Sequence, residues 1–309
     1  MSADGPAAPD PRASSRPTPD AKAEIDAGAE AAALSDDALL ALPTVYRADL
    51  FAGRTILVSG AGTGIGKAIA CLFGRLGGGL VLCGRNAEKL EATRRLLERI
   101  GAPALAIPTN IREPGEVDAL FARIEADAPG LDVVVNNAGG QYPQASIDLS
   151  DKGWRAVVDT NLNGTWTMMQ RAARFWKRRG AAGSIVNVVA PYRRGMYGLA
   201  HTVAARAAVA HLAQNLAVEW APDGIRINCV LPGPIATEGL AVYSEQARSE
   251  LARSNPLRRL GDVQDVAEAC AYLSAASGKF ITGEVLVVDG GHQHWGELWM
   301  AGRPPGYGA

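Results

Sequence analysis

The chain has 309 residues, 48% of them hydrophobic and 20% charged, with 35 glycines. That is the balance of a globular protein with one large core, not of a disordered or fibrous chain. Lys and Arg number 31 against 32 acidic residues, so the formal net charge is -1, which points to neither a nucleic-acid-binding nor a membrane-surface protein.

Residues 1–45 read as a disordered N-terminal arm with one possible short helix. Its first part, "MSADGPAAPDPRASSRPTPDAKAEIDAGAEAAA", has almost no large apolar side chain to offset the entropy of ordering it, and "LSDDALLAL" is the helical stretch. Residues 46–309 form a single domain with a C-terminal tail. Within it, apolar runs alternate with helix-length amphipathic stretches: "TILVSG", "GLVLCG", "ALAIPT", "LDVVVNN", "SIVNVVA", "RINCVLPG" and "EVLVVDGG". Runs rich in Val, Ile and Leu that are apolar on both faces predict a parallel sheet covered on both sides. The expected fold is a doubly wound Rossmann-type α/β/α sandwich of about seven strands, with ligands beyond the carboxyl ends of the strands.

Cys71, Cys83, Cys229 and Cys270 lie inside apolar runs without C-x-x-C spacing, as buried thiols in a reducing compartment would. No apolar run reaches the roughly 18 residues of a membrane span. The N-terminus lacks a basic-then-apolar signal pattern, and "PPGYGA" is no peroxisomal address. A soluble, cytoplasmic protein is expected.

The first strand run leads into "SGAGTGIGKAIA". A glycine-rich turn between strand and helix lets backbone N–H groups and the positive end of the helix dipole meet a pyrophosphate. The spacing here is G-x-x-x-G-x-G, from Gly60 through Gly64 to Gly66, instead of the usual G-x-G-x-x-G. The second run ends in "CGRNAEKL"; Arg85 at this point suits a 2′-phosphate, whereas a bare ribose favours an acid, so NADP(H) is expected over NAD(H).

Further on stand "NNAGGQY", "TNLNGT" and "LPGPIAT". With these, residues 50 to 291 resemble the short-chain dehydrogenase/reductase family, in which the three segments occur in this order and at about these separations. The resemblance implies a cofactor cleft lined by Gly60, Thr63, Gly64 and Ile65. Asn110 would approach the adenine. Asn137, Ala138 and Gly139 would run beside the adenosine half, and Pro232, Gly233, Ile235 and Thr237 beside the nicotinamide and diphosphate. Asn161 matches the family's helix Asn that steadies a proton-relay water.

The family's usual Ser, Tyr and Lys are replaced by Val189, Thr202 and Arg206. A Thr hydroxyl does not ionise at useful pH, and an Arg stays charged and passes on no proton. Either catalysis is lost and the fold serves binding, or the reaction needs less of a strong acid. A narrower resemblance, carried by "GGQ", "KGW" and "HTVAARA", is to peroxisomal trans-2-enoyl-CoA reductases and nearby bacterial reductases, whose pattern also lacks the standard triad. It implies reduction of a 2,3 double bond in an acyl-CoA thioester, where the main demand is stabilisation of enolate charge.

Thr202, Arg206, Asn161, Tyr192 and His201 are then the candidate catalytic residues, with Arg206 also holding the cofactor ribose. Tyr192 stands near the position of the active Tyr in the related 2,4-dienoyl-CoA reductases, and packing of an aromatic on a loop is its other reading. Arg193, Arg194, Arg258 and Arg259 are either a rim for coenzyme A phosphates or ordinary surface charges. His292 and His294, two apart, lack an acidic or Cys partner at ligand spacing, so no metal is expected and the tail closes over a substrate cleft or a neighbouring subunit. The resemblance also implies a homodimer or homotetramer. An alcohol or ketone oxidoreductase acting on terpenoid or medium-chain alcohols is the alternative within the class, and a non-catalytic cofactor-binding protein the alternative outside it.

Overall fold

Seven parallel strands form one sheet in the order β3-β2-β1-β4-β5-β6-β7 in the computed structural model, which describes residues 34–242, 248, 250–296 and 300. They are β1 Thr55–Ser59, β2 Gly79–Gly84, β3 Ala104–Pro108, β4 Val133–Asn136, β5 Gly183–Val188, β6 Ile225–Pro232 and β7 Val285–Val288. Each coincides with one of the seven apolar runs, β5 and β6 beginning one residue earlier. Side chains alternate across the sheet: Ile56 and Val58 enter one core cluster and Leu57 the other.

The first cluster is closed by α2 Gly64–Arg75, α3 Ala87–Glu98 and α8 Val263–Ser274. The second is closed by α4 Pro114–Asp127, α6 Thr165–Arg179 and α7 Ala200–Trp220. Trp176 of α6 is fully buried there, and its indole N–H donates to the Leu131 carbonyl at 2.6 Å. After β3, at one edge, the chain crosses to β4 beside β1. The loops after β1 and β4 therefore diverge to opposite faces and leave a crevice between them.

Ahead of α6 lie α5 Asp151–Val158 and a π-helical segment, Asp159–Gly164, which runs directly into it. A π turn inserts an extra residue and releases a carbonyl from the i to i+4 ladder. Here the Asn161 carbonyl accepts from the Thr165 hydroxyl at 3.0 Å.

Of residues 1–45, the structure describes 34–45. Residues 1–33 lie outside the described residues, but α1 Asp36–Ala41 is docked. Ser35 caps it, Leu39 is 5% exposed within the first cluster, and Tyr46 donates to the Glu268 carbonyl. Asp36 pairs with Lys67 and Asp37 with Arg99. Three apolar residues, Leu39, Leu40 and Leu42, reach the core together. Leu39→Ala should therefore lower unfolding stability by about 2 kcal/mol, as for other buried Leu truncations. Urea denaturation measures this, and an unchanged midpoint would mean that α1 contributes no packing.

Candidate active site

The crevice is a cleft of about 690 Å³ beyond the carboxyl ends of β1 to β4. Gly60, Thr63, Gly64, Ile65, Arg85, Asn110, Asn137, Ala138, Gly139 and Thr237, ten of the positions singled out above, line it. Gly60 has φ +68°, and a Cβ there would meet Asn137 Nδ2 at 2.9 Å. A Cβ on Gly66 would collide with the Gly60 carbonyl. The turn thus closes against the helix only because both positions are glycine. The cradle fits a dinucleotide diphosphate: it brings the chain to the N-terminus of α2, where the dipole is positive.

At the other end of the cleft Arg85 and Lys89 put two cations beside Asn86 and Asn110. Asn110 is held by its own loop, its N–H donating to Glu116 at 2.6 Å and its side-chain oxygen accepting from the Arg112 N–H. Glu238 is the lining carboxylate, exposed near Gly64.

Behind Gly139 stands Arg206, 6% exposed. Its guanidinium donates to the Asn161 and Ala138 carbonyls, both at 3.3 Å, and has no carboxylate partner among the described residues. A Cβ on Gly139 would overlap it. Burial pulls its pKa down to about 10, so it remains a cation at neutral pH. The Asn161 amide clamps the adjoining residue at both ends: Nδ2 donates to the Gly140 carbonyl and Oδ1 accepts from the Gly140 N–H, each at 3.0 Å. The π turn presents the Asn161 carbonyl to Arg206 directly.

One turn before Arg206 on α7, His201 is fully buried and Thr202 is 1% exposed. His201 Nδ1 accepts from the Thr202 backbone N–H at 2.7 Å and lies 3.3 Å from the Thr202 hydroxyl. An accepting Nδ1 puts the proton of the neutral ring on Nε2. The ring meets Tyr142 edge-on, centroids 5.0 Å apart. Thr202 therefore faces His201 and the protein interior. Tyr192 is half-buried against the second core cluster with Arg193 over its ring at 6.0 Å, whereas Tyr197 is 92% exposed. Val189, in the usual Ser position, is a buried strand-end residue.

Pro232, Gly233 and Ile235 stand behind the cleft wall. Gly233 abuts Asp289, where a Cβ would come within 2.7 Å of its Cα, and Ile235 is buried and bridged to Gly261. Arg193, Arg194 and Arg259 are exposed and Arg258 is partly buried, and their side chains are bonded to neighbouring backbone and side chains. Arg194 donates to the His292 and Trp295 carbonyls at 2.8 and 2.6 Å, and Arg193 to Gln293 at 3.2 Å. Arg259 donates to the Leu260 carbonyl, and Arg258 takes φ +57°. His292 Nδ1 contacts the Ser254 carbonyl at 2.7 Å, and His294 lies beside Gln293.

Sequence reasoning missed Tyr142, whose hydroxyl packs on Gly153 and whose ring packs on His201. Glycine in the first turn of a helix, in "KGW", was its signal. The π turn was missed as well; Gly164 in mid-helix, pressed against Ile111, marks it.

A family profile described as "Enoyl-(Acyl carrier protein) reductase" matches residues 60–293. The chain is 33% identical over 243 residues to a probable 2,4-dienoyl-CoA reductase of Bacillus subtilis (strain 168), covering 77% of this chain and 96% of that one. It is 33% identical over 262 residues to glucose 1-dehydrogenase of Gluconobacter oxydans (strain 621H), covering 83% and 98%. Among solved structures, citronellol catabolism dehydrogenase of Pseudomonas aeruginosa PAO1 superposes with a TM-score of 0.73 at 34% identity, over 82% of this chain and 100% of that one.

Burial lowers the His201 pKa, opposed in part by the Tyr142 and Leu199 carbonyls. The folded protein then holds this ring neutral where the unfolded chain, titrating near the ordinary value of about 6.5, takes up a proton. The stability that His201 contributes is complete above that value and falls as pH drops toward the folded pKa, by at most about 1.4 kcal/mol per pH unit for one proton. Denaturation between pH 8 and 5 should show this slope in the native protein and a shallower one in His201→Gln. Equal slopes would assign the acid loss to other groups.

Proposed function

The chain belongs to the short-chain dehydrogenase/reductase family, and on that footing we propose that it is an NADP(H)-dependent reductase of the 2,3 double bond of an enoyl thioester, an acyl-CoA or a relative of one. The observation that carries this reading is the buried Arg206 cation without a carboxylate partner among the described residues, next to a Thr202 whose hydroxyl faces inward. Such a site offers positive potential but no ionisable proton donor of the usual kind. Reducing a ketone produces an alkoxide that must be protonated on oxygen. Reducing an enoyl thioester produces an enolate, which a placed cation stabilises and a weak acid or water can protonate on carbon.

The bound nicotinamide supplies the hydride. The chain's own residues do the rest. The glycine turn and the α2 N-terminus would hold the diphosphate, and Arg85 with Lys89 would hold the 2′-phosphate. Arg206 fixes the Ala138–Gly140 backbone and sets the potential at the reacting end of the cleft, while Asn161 clamps Gly140. His201 orients Thr202 at the start of α7, and Tyr192 and Thr202 are the candidate neutral donors. The similarity to dienoyl-CoA reductases supports the thioester.

A second reading, oxidation of a primary or terpenoid alcohol, is favoured by the likeness to citronellol catabolism dehydrogenase. Consumption of NADPH with trans-2-enoyl-CoA substrates of several chain lengths tests the first reading. In Arg206→Met turnover should fall about 100-fold or more, as when a placed oxyanion donor is removed. The melting temperature should hold or rise, because an apolar side chain replaces an unpaired buried charge. In Arg85→Glu the Kd for NADPH should rise about tenfold or more with that for NADH little changed, a loss typical of a charge-assisted contact. Oxidation of alcohols with no enoyl-CoA turnover would install the second reading. Tight NADPH binding with no turnover of either substrate class would mark a non-catalytic binding protein.

A further inference from the structure

Three segments come after β5, β6 and β7 in the chain and lie outside the lining of the described cleft: the loop 189–199 ahead of α7, the stretch 252–262, and the C-terminal turn 289–296. They are tied to one another. Asp289 organises the C-terminal turn by accepting from the Gly291 N–H at 2.8 Å and the Gln293 N–H at 2.9 Å. Gly290 and Gly291 both have positive φ, and a Cβ on either would run into Asn255 or Pro256. The turn is therefore seated on the second segment, where His292 Nδ1 meets the Ser254 carbonyl. Its other side is held by Arg194, whose Nη1 lies within hydrogen-bond distance of the carbonyls of both His292 and Trp295, three residues apart, with Arg193 reaching Gln293 beside it.

The first segment also reaches the opposite wall of the crevice, since the Gly198 carbonyl accepts from the Gln144 N–H at 2.9 Å. It continues into α7, the helix of His201, Thr202 and Arg206. A turn fastened to this loop and seated on the 252–262 stretch joins the two, and on the proposed function this is where the substrate would lie.

We infer that Arg194 is a specificity-determining latch: it fastens the C-terminal turn across the loop ahead of α7, so that the turn roofs the substrate side of the cleft. A cation that bridges two carbonyls three residues apart fixes the turn's position and its distance from the loop. The inference does not depend on which substrate class is right.

The test uses the full chain and needs no turnover. Amide hydrogen exchange is followed over 290–296, and the fluorescence of bound NADPH is quenched with iodide, in the native protein and in Arg194→Ala, Arg194→Gln and Arg194→Lys. In Arg194→Ala, exchange in the turn should quicken about tenfold, the loss of one charge-assisted bond. The iodide quenching constant should rise at least about twofold, because the roof then opens to solvent on the exchange timescale. The Kd for NADPH should stay within about twofold, since Arg194 is outside the phosphate and ribose contacts. Arg194→Gln should behave as Arg194→Ala with a native far-ultraviolet spectrum, and Arg194→Lys, an ammonium able to serve one carbonyl well, should fall between. Unchanged exchange would show that Arg194 is no latch. Faster exchange with unchanged quenching would show that the turn is no roof, and loss of NADPH binding would place Arg194 in the cofactor site instead.

Discussion

The buried guanidinium of Arg206 constrains the whole site. A cation taken out of water without a counter-charge is costly, and among the described residues this one is met by the carbonyls of Ala138 and Asn161 at 3.3 Å. Both carbonyls must point inward for it, and each depends on something unusual. Ala138 belongs to the loop that Asn161 clamps at Gly140 and that Ser59 supports through the Asn137 and Ala138 N–H groups. The Asn161 carbonyl is available because the helix unwinds to a π turn there. Gly139 leaves the space in which the side chain lies. Strand end, loop, π turn and α7 are thus arranged around one charge.

The sheet order divides the labour along the carboxyl edge. Loops after β1 to β4, with Thr237, Glu238 and Gly239 after β6, form the open crevice with its glycine turn and its cations, while other segments after β5 to β7 bind to each other through backbone carbonyls and arginines. The crossover from β3 to β4 separates the two halves. A ligand can lie along the first half on fixed backbone, and its reactive end then meets the second half, whose shape is set by side-chain ties that vary more readily than a strand. This is consistent with relatives named for sugars, acyl thioesters and terpenoids at about the same identity.

How much of this was legible in the sequence follows from the range of the interactions involved. The strands announce themselves as apolar runs: the five inner ones are largely buried on both faces, and the edge strands β3 and β7, partly exposed, are apolar all the same. The phosphate turn is readable because its glycines answer a local backbone demand. Arg206 and Asn161 were found through motif spacing, yet their mutual contact was not, because it depends on a π turn that has no strong composition of its own. Thr202 stands in a helix register that suggests exposure to substrate; a neighbouring His turns its hydroxyl inward, which no period in the sequence encodes. Paired arginines look alike in a sequence whether they face solvent or grip carbonyls, so the ties of Arg193 and Arg194 became visible only with the C-terminal turn in place. The docking of α1 was hidden by the polar, proline-rich residues before it.

The cysteines of the chain are all buried, and desolvation raises the thiols of Cys71, Cys83 and Cys229 to about 12, with Cys270 pushed in the same direction. Thiolate, the species that reacts with maleimides and iodoacetamide, is therefore scarce at all four positions near neutral pH. The native surface is silent to thiol chemistry without any cysteine being removed. A spectroscopic probe attached through one engineered surface cysteine would report from that position alone, so that distances across the cleft could be followed by resonance energy transfer or paramagnetic labels in an otherwise unaltered background.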